Sequence, residues 1–247
     1  MQALLAAAGL VPGLAIGSFL NVVAVRVPEH RSIVRPRSAC GSCGEEIAWY
    51  DNVPLLSYAL LRGRCRRCGT KIGLIYPAVE LTAALLIAGC LLRFGATPRA
   101  LVDAVFCATL VTVSATDLRL RIIPNWIVLP AAVVVLAGMT AVDPSPQWAL
   151  GAVGASGFLF LAALAYPSGM GMGDVKLALL LGAMLGRTVP VAMLLGMVSA
   201  LVPAVFLLAR HGSAARKMCI PLGPFLALGA VVGLFAGHPL LHLYLHR

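Results

Sequence analysis

The chain has 247 residues, of which 60% are hydrophobic and only 11% charged, with a mean hydropathy of +0.95. Soluble globular domains carry roughly 25% charged residues, so the composition excludes one and points to an all-α polytopic membrane protein. The net charge of +10 does not call for nucleic acid, because basic residues gathered on one side of a bilayer against anionic headgroups account for it.

About 20 apolar residues cross a bilayer. That length places spans near 3–25, 77–93, 99–117, 123–142, 147–166, 174–188, 189–209 and 221–237, so about eight transmembrane helices are expected. The tightest connection is Arg187 to Pro190, where a turn separates two spans or one long segment kinks. The first span has no basic residue before it and carries polar residues between Gly17 and Val23, so it is read as a retained helix rather than a discarded signal.

Lys and Arg gather in short cytoplasmic loops. One face collects fifteen of the 19 basic residues, among them Arg26, Arg119, Arg121, Lys176, Arg210, Arg216 and Lys217; the other keeps Arg93, Arg99, Arg187 and Arg247. This puts the 28–76 segment in the cytoplasm and both termini outside. Three regions are expected: a first transmembrane helix (1–27), a cytoplasmic insert (28–76) and a seven-helix membrane domain (77–247).

The insert holds four of the seven cysteines, as Cys40-Gly-Ser-Cys43 and Cys65-Arg-Arg-Cys68. Two CxxC knuckles fit a tetrahedral four-thiolate zinc site, with Gly44 and Gly69 relaxing the backbone after each. Disulfides are disfavoured in a reducing cytoplasm. An insert of this length is too short for a large core and typical of a metal-stapled domain, so the zinc is expected to be structural. Its basic surface faces either solvent or an anionic leaflet. Cys90, Cys107 and Cys219 are read as separate buried thiols.

Nine acidic residues occur in the chain, and Glu80, Asp103, Asp117 and Asp174 lie in or beside spans. Acidic groups at such depth are costly and usually functional. Asp103 precedes Asp117 by 14 residues, roughly 21 Å along one helix, and is expected at the interface, paired with Arg99 four positions back. Asp143 sits in an external turn. Asp117 ends an inward-running span and Asp174 begins an outward-running one, so both fall at the cytoplasmic boundary.

Two neighbouring carboxylates in a poorly hydrated site share one proton. The ionised partner takes a proton from water while the protonated one donates to a scissile carbonyl. Gly169, Gly171 and Gly173 before Asp174 let the backbone bend and a substrate strand approach, and Pro124 fixes the turn after Asp117. The histidines, at 30, 211, 238, 242 and 246, all fall outside the expected spans, leaving no Ser-His or Cys-His alternative. Interrupted by Pro239, His238, His242 and His246 read as an interfacial tail. On chemistry alone the competing reading of the aspartates is an ion or proton relay in a carboxylate-dependent transporter.

Several segments together resemble one family: GSFLNVVAVRVP (17–28), the two CxxC pairs, DNVPLLSYALLRGRC (51–65), YPAVEL (76–81), Asp117 with the downstream IPN, and GMGDVKLALLLG (171–182). The chain resembles the prepilin peptidases, or type IV leader peptidases, membrane aspartyl proteases of the GxGD type. The resemblance implies cleavage of leaders from prepilins of type IV pili or pseudopilins of type II secretion. Asp117 and Asp174 match the catalytic pair in the inner membrane, supported by Gly171, Gly173 and Lys176. Relatives with the cysteine insert also resemble N-methyltransferases that use S-adenosylmethionine, and Gly63 and Glu80 match positions tied to that activity or its domain. The insert carries no Rossmann-type glycine fingerprint of its own, so methyl transfer rests on the resemblance. Two departures stand out: a short linker between Pro28 and Cys40, and Asn125 where aspartate is also common.

Overall fold

The computed structural model describes residues 2–166, 170–212 and 220–245. The expectations for Gly169, Arg216, Lys217, Cys219, His246 and Arg247 concern residues outside these. The chain forms two compact units, Met1–Ala115 and Thr116–Arg247. Among the described residues there are helices and two isolated bridges but no strand.

In the first unit, α1 (Gln2–Arg26) packs lengthwise on α3 (Ile75–Phe94). Gly9, Gly13 and Gly17 recur every four residues and so share one face. A β-carbon on any of them would lie 2.5–2.6 Å from the Cα of Ala88, Ala84 or Glu80. Small residues at this spacing let membrane helices approach closely where no hydrophobic effect drives them together. Leu20, Ala24, Val79, Ala83, Val111 and Ala115 form the core beside this seam. Between α1 and α3 the insert contains only a 3-10 turn (Trp49–Asn52) and a five-residue helix, α2 (Leu56–Leu60).

The start of α4 (Pro98–Leu120) follows α3 after a three-residue connection, which folds the chain back and corrects one expectation. Cys90 and Cys107 are not apart: their sulfurs lie 3.8 Å from each other, both fully buried. Arg99 does pair with Asp103, Nε to Oδ2 at 3.8 Å, and Asp103 is fully buried in the protein.

The second unit contains the end of α4, then α5 (Asn125–Val142), α6 (Gln147–Ala165), α7 (Met172–Leu185), α8 (Val189–His211) and α9 (Gly223–Leu245). Seven stretches among the described residues are long and apolar enough to cross a membrane, and one of them, Met172–His211, is 40 residues long. Run straight it would reach roughly 60 Å, twice a bilayer's hydrocarbon core of about 30 Å. It is instead broken at Gly186–Thr188, where Gly186 takes φ +51°, a residue or two before the expected turn, so that among the described residues it comprises two helices, of 14 and 23 residues. α6 and α7 meet at Gly151 and Gly182, so closely that a β-carbon on Gly182 would collide with the Gly151 carbonyl.

α9 does not stop at Pro239. The helix continues to Leu245 and its apolar span reaches Leu243, so His238 and His242 belong to the span and not to a tail beyond it. Proline is tolerated in membrane helices because local adjustments re-satisfy the freed carbonyl.

Candidate active site and metal centre

Asp117 stands one turn before the end of α4, and Asp174 is the third residue of α7. Both lie in the second unit, where Ile123, in the turn after Asp117's helix, packs against Gly173, the residue before Asp174. Asp117 is 5% exposed; Asp174 is half-buried.

Each carboxylate accepts a main-chain N–H from a glycine at a helix start. Gly171, the residue before α7, donates to Asp174 Oδ2 at 3.3 Å, while the Asp174 N–H returns to the Gly171 carbonyl at 3.1 Å. This is the acidic half of a capping box, with the side chain three residues into the helix reaching back. Gly223, the first residue of α9, donates to Asp117 Oδ2 at 2.9 Å. Helix N-termini carry partial positive charge and unpaired N–H groups, so the pair sits where backbone dipoles favour anionic oxygen.

The other expected supporting residues gather nearby. A β-carbon on Gly173 would come within 2.9 Å of Ile123 Cβ, so the turn after α4 lies against the start of α7. Lys176 donates from Nζ to Asn125 Oδ1 at 2.8 Å, tying α7 to the first residue of α5. Gly223 was not singled out from sequence. The Gly223-Pro224 pair at the head of an apolar run does signal a helix start, but nothing local links it to an aspartate 106 positions earlier.

In the insert the two knuckles repeat one hydrogen-bond pattern. Cys40 N–H donates to Glu45 O and Gly44 N–H to Cys40 O; Cys65 N–H donates to Thr70 O and Gly69 N–H to Cys65 O, each at 2.9 Å. Gly44 and Gly69 take φ +72° and +69°, as the turn requires. Bridges Ala39–Glu46 and Arg64–Lys71 close the two loops. The four sulfurs all lie within 4.8 Å of one another, with Cys40 and Cys68 3.8 Å apart. Bonds of about 2.3 Å in a tetrahedral zinc–thiolate site imply sulfurs about 3.8 Å apart, so the cluster fits such an ion.

The thiols also divide electrostatically. Main-chain N–H groups of Cys43 and Ser42 pull Cys40 down, and Thr70, by side chain and main chain, draws Cys68 to about 6. Although the Glu45 N–H pulls Cys43 down, desolvation and the adjoining sulfurs together push it up to about 11. Four sulfurs this close cannot all ionise unless a cation lies among them.

Gly63 and Glu80 are both structural supports of the insert. Gly63 has φ +65°, and a β-carbon there would lie 2.7 Å from the Tyr58 hydroxyl, which itself donates to Ile72 O at 3.2 Å. Glu80, on α3, accepts the Leu55 N–H at 2.9 Å. Leu55 has φ +58°, a strained value for a bulky residue, and Glu80 holds it there.

The chain is similar to known proteins in both of its regions. The Bacterial Peptidase A24 N-terminal domain matches residues 11–94, and the Type IV leader peptidase family matches residues 104–205. A protein of Bacillus subtilis (strain 168) named prepilin leader peptidase/N-methyltransferase is 34% identical across 94% of this chain and 95% of its own length. Proteins of the same name from Burkholderia pseudomallei (strain 1026b) and Myxococcus xanthus are 36% and 43% identical, over 93% and 70% of this chain and 85% and 54% of theirs. No solved structure matches. With both regions matched in order, and a relative similar along nearly its whole length, this chain belongs to the type IV leader peptidase family.

Proposed function

We propose that the chain removes leader peptides from prepilins or pseudopilins at the cytoplasmic face of the inner membrane, using Asp117 and Asp174 to activate water. The observation that carries this reading is two carboxylates of one unit, each held by a glycine N–H at a helix start, with the turn after Asp117 packed at Ile123 against Gly173, the residue before Asp174. One carboxylate takes a proton from water as it attacks the scissile carbonyl. The other donates its proton to the carbonyl oxygen; as the C–N bond breaks, the first passes the proton it took to the leaving amine and the second recovers one from the gem-diol hydroxyl. Gly171 leaves room for an extended substrate, Gly173 lets Ile123 pack against the start of α7, and Lys176 fixes the start of α7 against α5. A substrate helix lying in the bilayer supplies orientation that a free peptide would lose.

In the same reading residues 1–27 and 77–247 form the membrane body and residues 28–76 the insert. Cys40, Cys43, Cys65 and Cys68 hold a structural zinc ion there. The insert supports N-methylation of the new amino terminus from S-adenosylmethionine; the relatives' shared name supports that activity, with Gly63 and Glu80 acting through the insert's shape.

The test is leader removal from a pilin-like substrate in membranes. Asp117→Asn and Asp174→Asn each stop it while the protein still accumulates; continued conversion by both variants sinks the peptidase reading. For methylation, mature amino termini gain one methyl mass, and Cys40→Ser removes that mass without stopping cleavage.

A further inference from the structure

Building on the peptidase reading, we propose that Gly223 is a positioning residue for Asp117, its main-chain N–H anchoring Oδ2 so that Oδ1 is left to hold the reacting water. The bond is buried and 2.9 Å long. The first turn of α9 offers few alternatives: Pro224 has no N–H, and the Phe225 and Leu226 N–H groups both return to the Leu222 carbonyl at 3.1 Å. Gly223 is thus the donor the turn has left for the carboxylate.

The space around it is equally specific. The three atoms nearest a β-carbon on Gly223 all belong to Asp117: Oδ2 at 2.7 Å, Cγ at 3.3 Å and Cβ at 3.4 Å. Other α9 glycines serve a different purpose. A β-carbon on Gly229 or Gly233 would strike Ala192 of α8 instead, a contact between helices. The two aspartates also differ from each other. A β-carbon on Gly171 would stand 3.7 Å from Asp174 Oδ2, an ordinary contact. Asp117, 5% exposed, is therefore the carboxylate packed directly against its glycine, and the half-buried Asp174 the one less closely packed on its own.

The experiment compares wild type, Gly223→Ala, Gly233→Ala and Asp117→Asn as full chains, measuring kcat, KM, thermal unfolding and the pH profile of kcat. A displaced catalytic group costs on the order of 10²-fold. Gly223→Ala is expected to lose that much in kcat with KM little changed, to displace the acidic limb of its pH profile, and to melt near wild type. Gly233→Ala is expected to lower the melting temperature without moving that limb. A wild-type kcat in Gly223→Ala, beside an inactive Asp117→Asn, overturns the proposal and leaves the peptidase reading standing. So does a parallel loss of activity and melting temperature in both glycine variants. Full cleavage by Asp117→Asn removes both readings together. A second measurement needs no change at Gly223: in the 15N-glycine-labelled chain its amide proton is expected to titrate with pH and to move in Asp117→Asn. An amide indifferent to both overturns the proposal.

Discussion

Each cysteine knuckle closes within eight residues, from Ala39 to Glu46 and from Arg64 to Lys71, whereas the aspartate pair draws on Asp117, on Asp174 57 positions later and on Gly223 106 positions away. The knuckles are specified by short-range hydrogen bonds and two left-handed glycines, so local sequence suffices to build each. The aspartate site has no such local code. Asp174 takes its glycine N–H locally, but Asp117 receives one only because the start of α9 is brought to it, and that delivery depends on how closely the helices approach. Local sites tolerate distant change; assembled ones depend on the packing of the whole unit.

The sharpest way to break this contrast is at the carboxylates. Asp117→Asn and Asp174→Asn are each expected to reduce leader cleavage by on the order of 10²–10⁴-fold, read as conversion of a pilin-like substrate, with zinc content unchanged. Removing metal attacks the other side. A chelator is expected to abolish structure in the insert, read by hydrogen exchange across residues 38–72, because ligand binding and folding are one event in domains of this size. Cleavage persisting in the chelated protein would sharpen the separation, and loss of both would break it.

Packing variants come next. Gly182→Ala forces a methyl into the Gly151 carbonyl and is expected to cost about 1–3 kcal/mol as overpacking, seen as a lower melting temperature and less cleavage. Gly154→Ala, which meets open space, serves as its reference. Lys176→Met breaks the bond to Asn125 and is expected to slow cleavage about fivefold, equivalent to about 1 kcal/mol in the barrier. Asn125→Asp retains a partner for Lys176 and should cleave like wild type.

The smallest effect concerns Asp51, whose carboxyl Arg66 holds below the usual range through bonds of 2.6 and 2.7 Å. A depressed value stabilises the fold above the unfolded carboxyl's range near pH 4 and loses that contribution as pH falls through the lower folded value. Asp51→Asn is therefore expected to loosen the insert slightly at pH 7, with the difference from wild type fading below about pH 4, as followed by hydrogen exchange. The Arg66 side chain is open to solvent, so added salt should shrink the effect.

Much of this was readable in the chain. Apolar length found the helices, and the CxxC spacing found the cysteine cluster, because both signals lie within one local window. Asp117 and Asp174 stood out because acids are rare in apolar sequence. What failed was relational. Nothing within either segment shows that Cys90 faces Cys107, since that follows from how two helices fold about residues 95–97. Pro239 looked like a terminator because proline removes a donor, yet a membrane helix carries on through it. Gly223 was invisible for the same reason: its partner is an oxygen of another helix, and a glycine carries no side-chain chemistry to advertise that.

The Gly151–Gly182 seam has a consequence for motion. Where two helices touch through bare peptide groups, no rotamer stands between them to turn and no methyl can be traded for a smaller one. Such a seam cannot breathe by degrees. If α7 shifts to admit a substrate, it must slide along α6 as a rigid rail or stay put, and the gap for an incoming strand has to open along another flank of that helix.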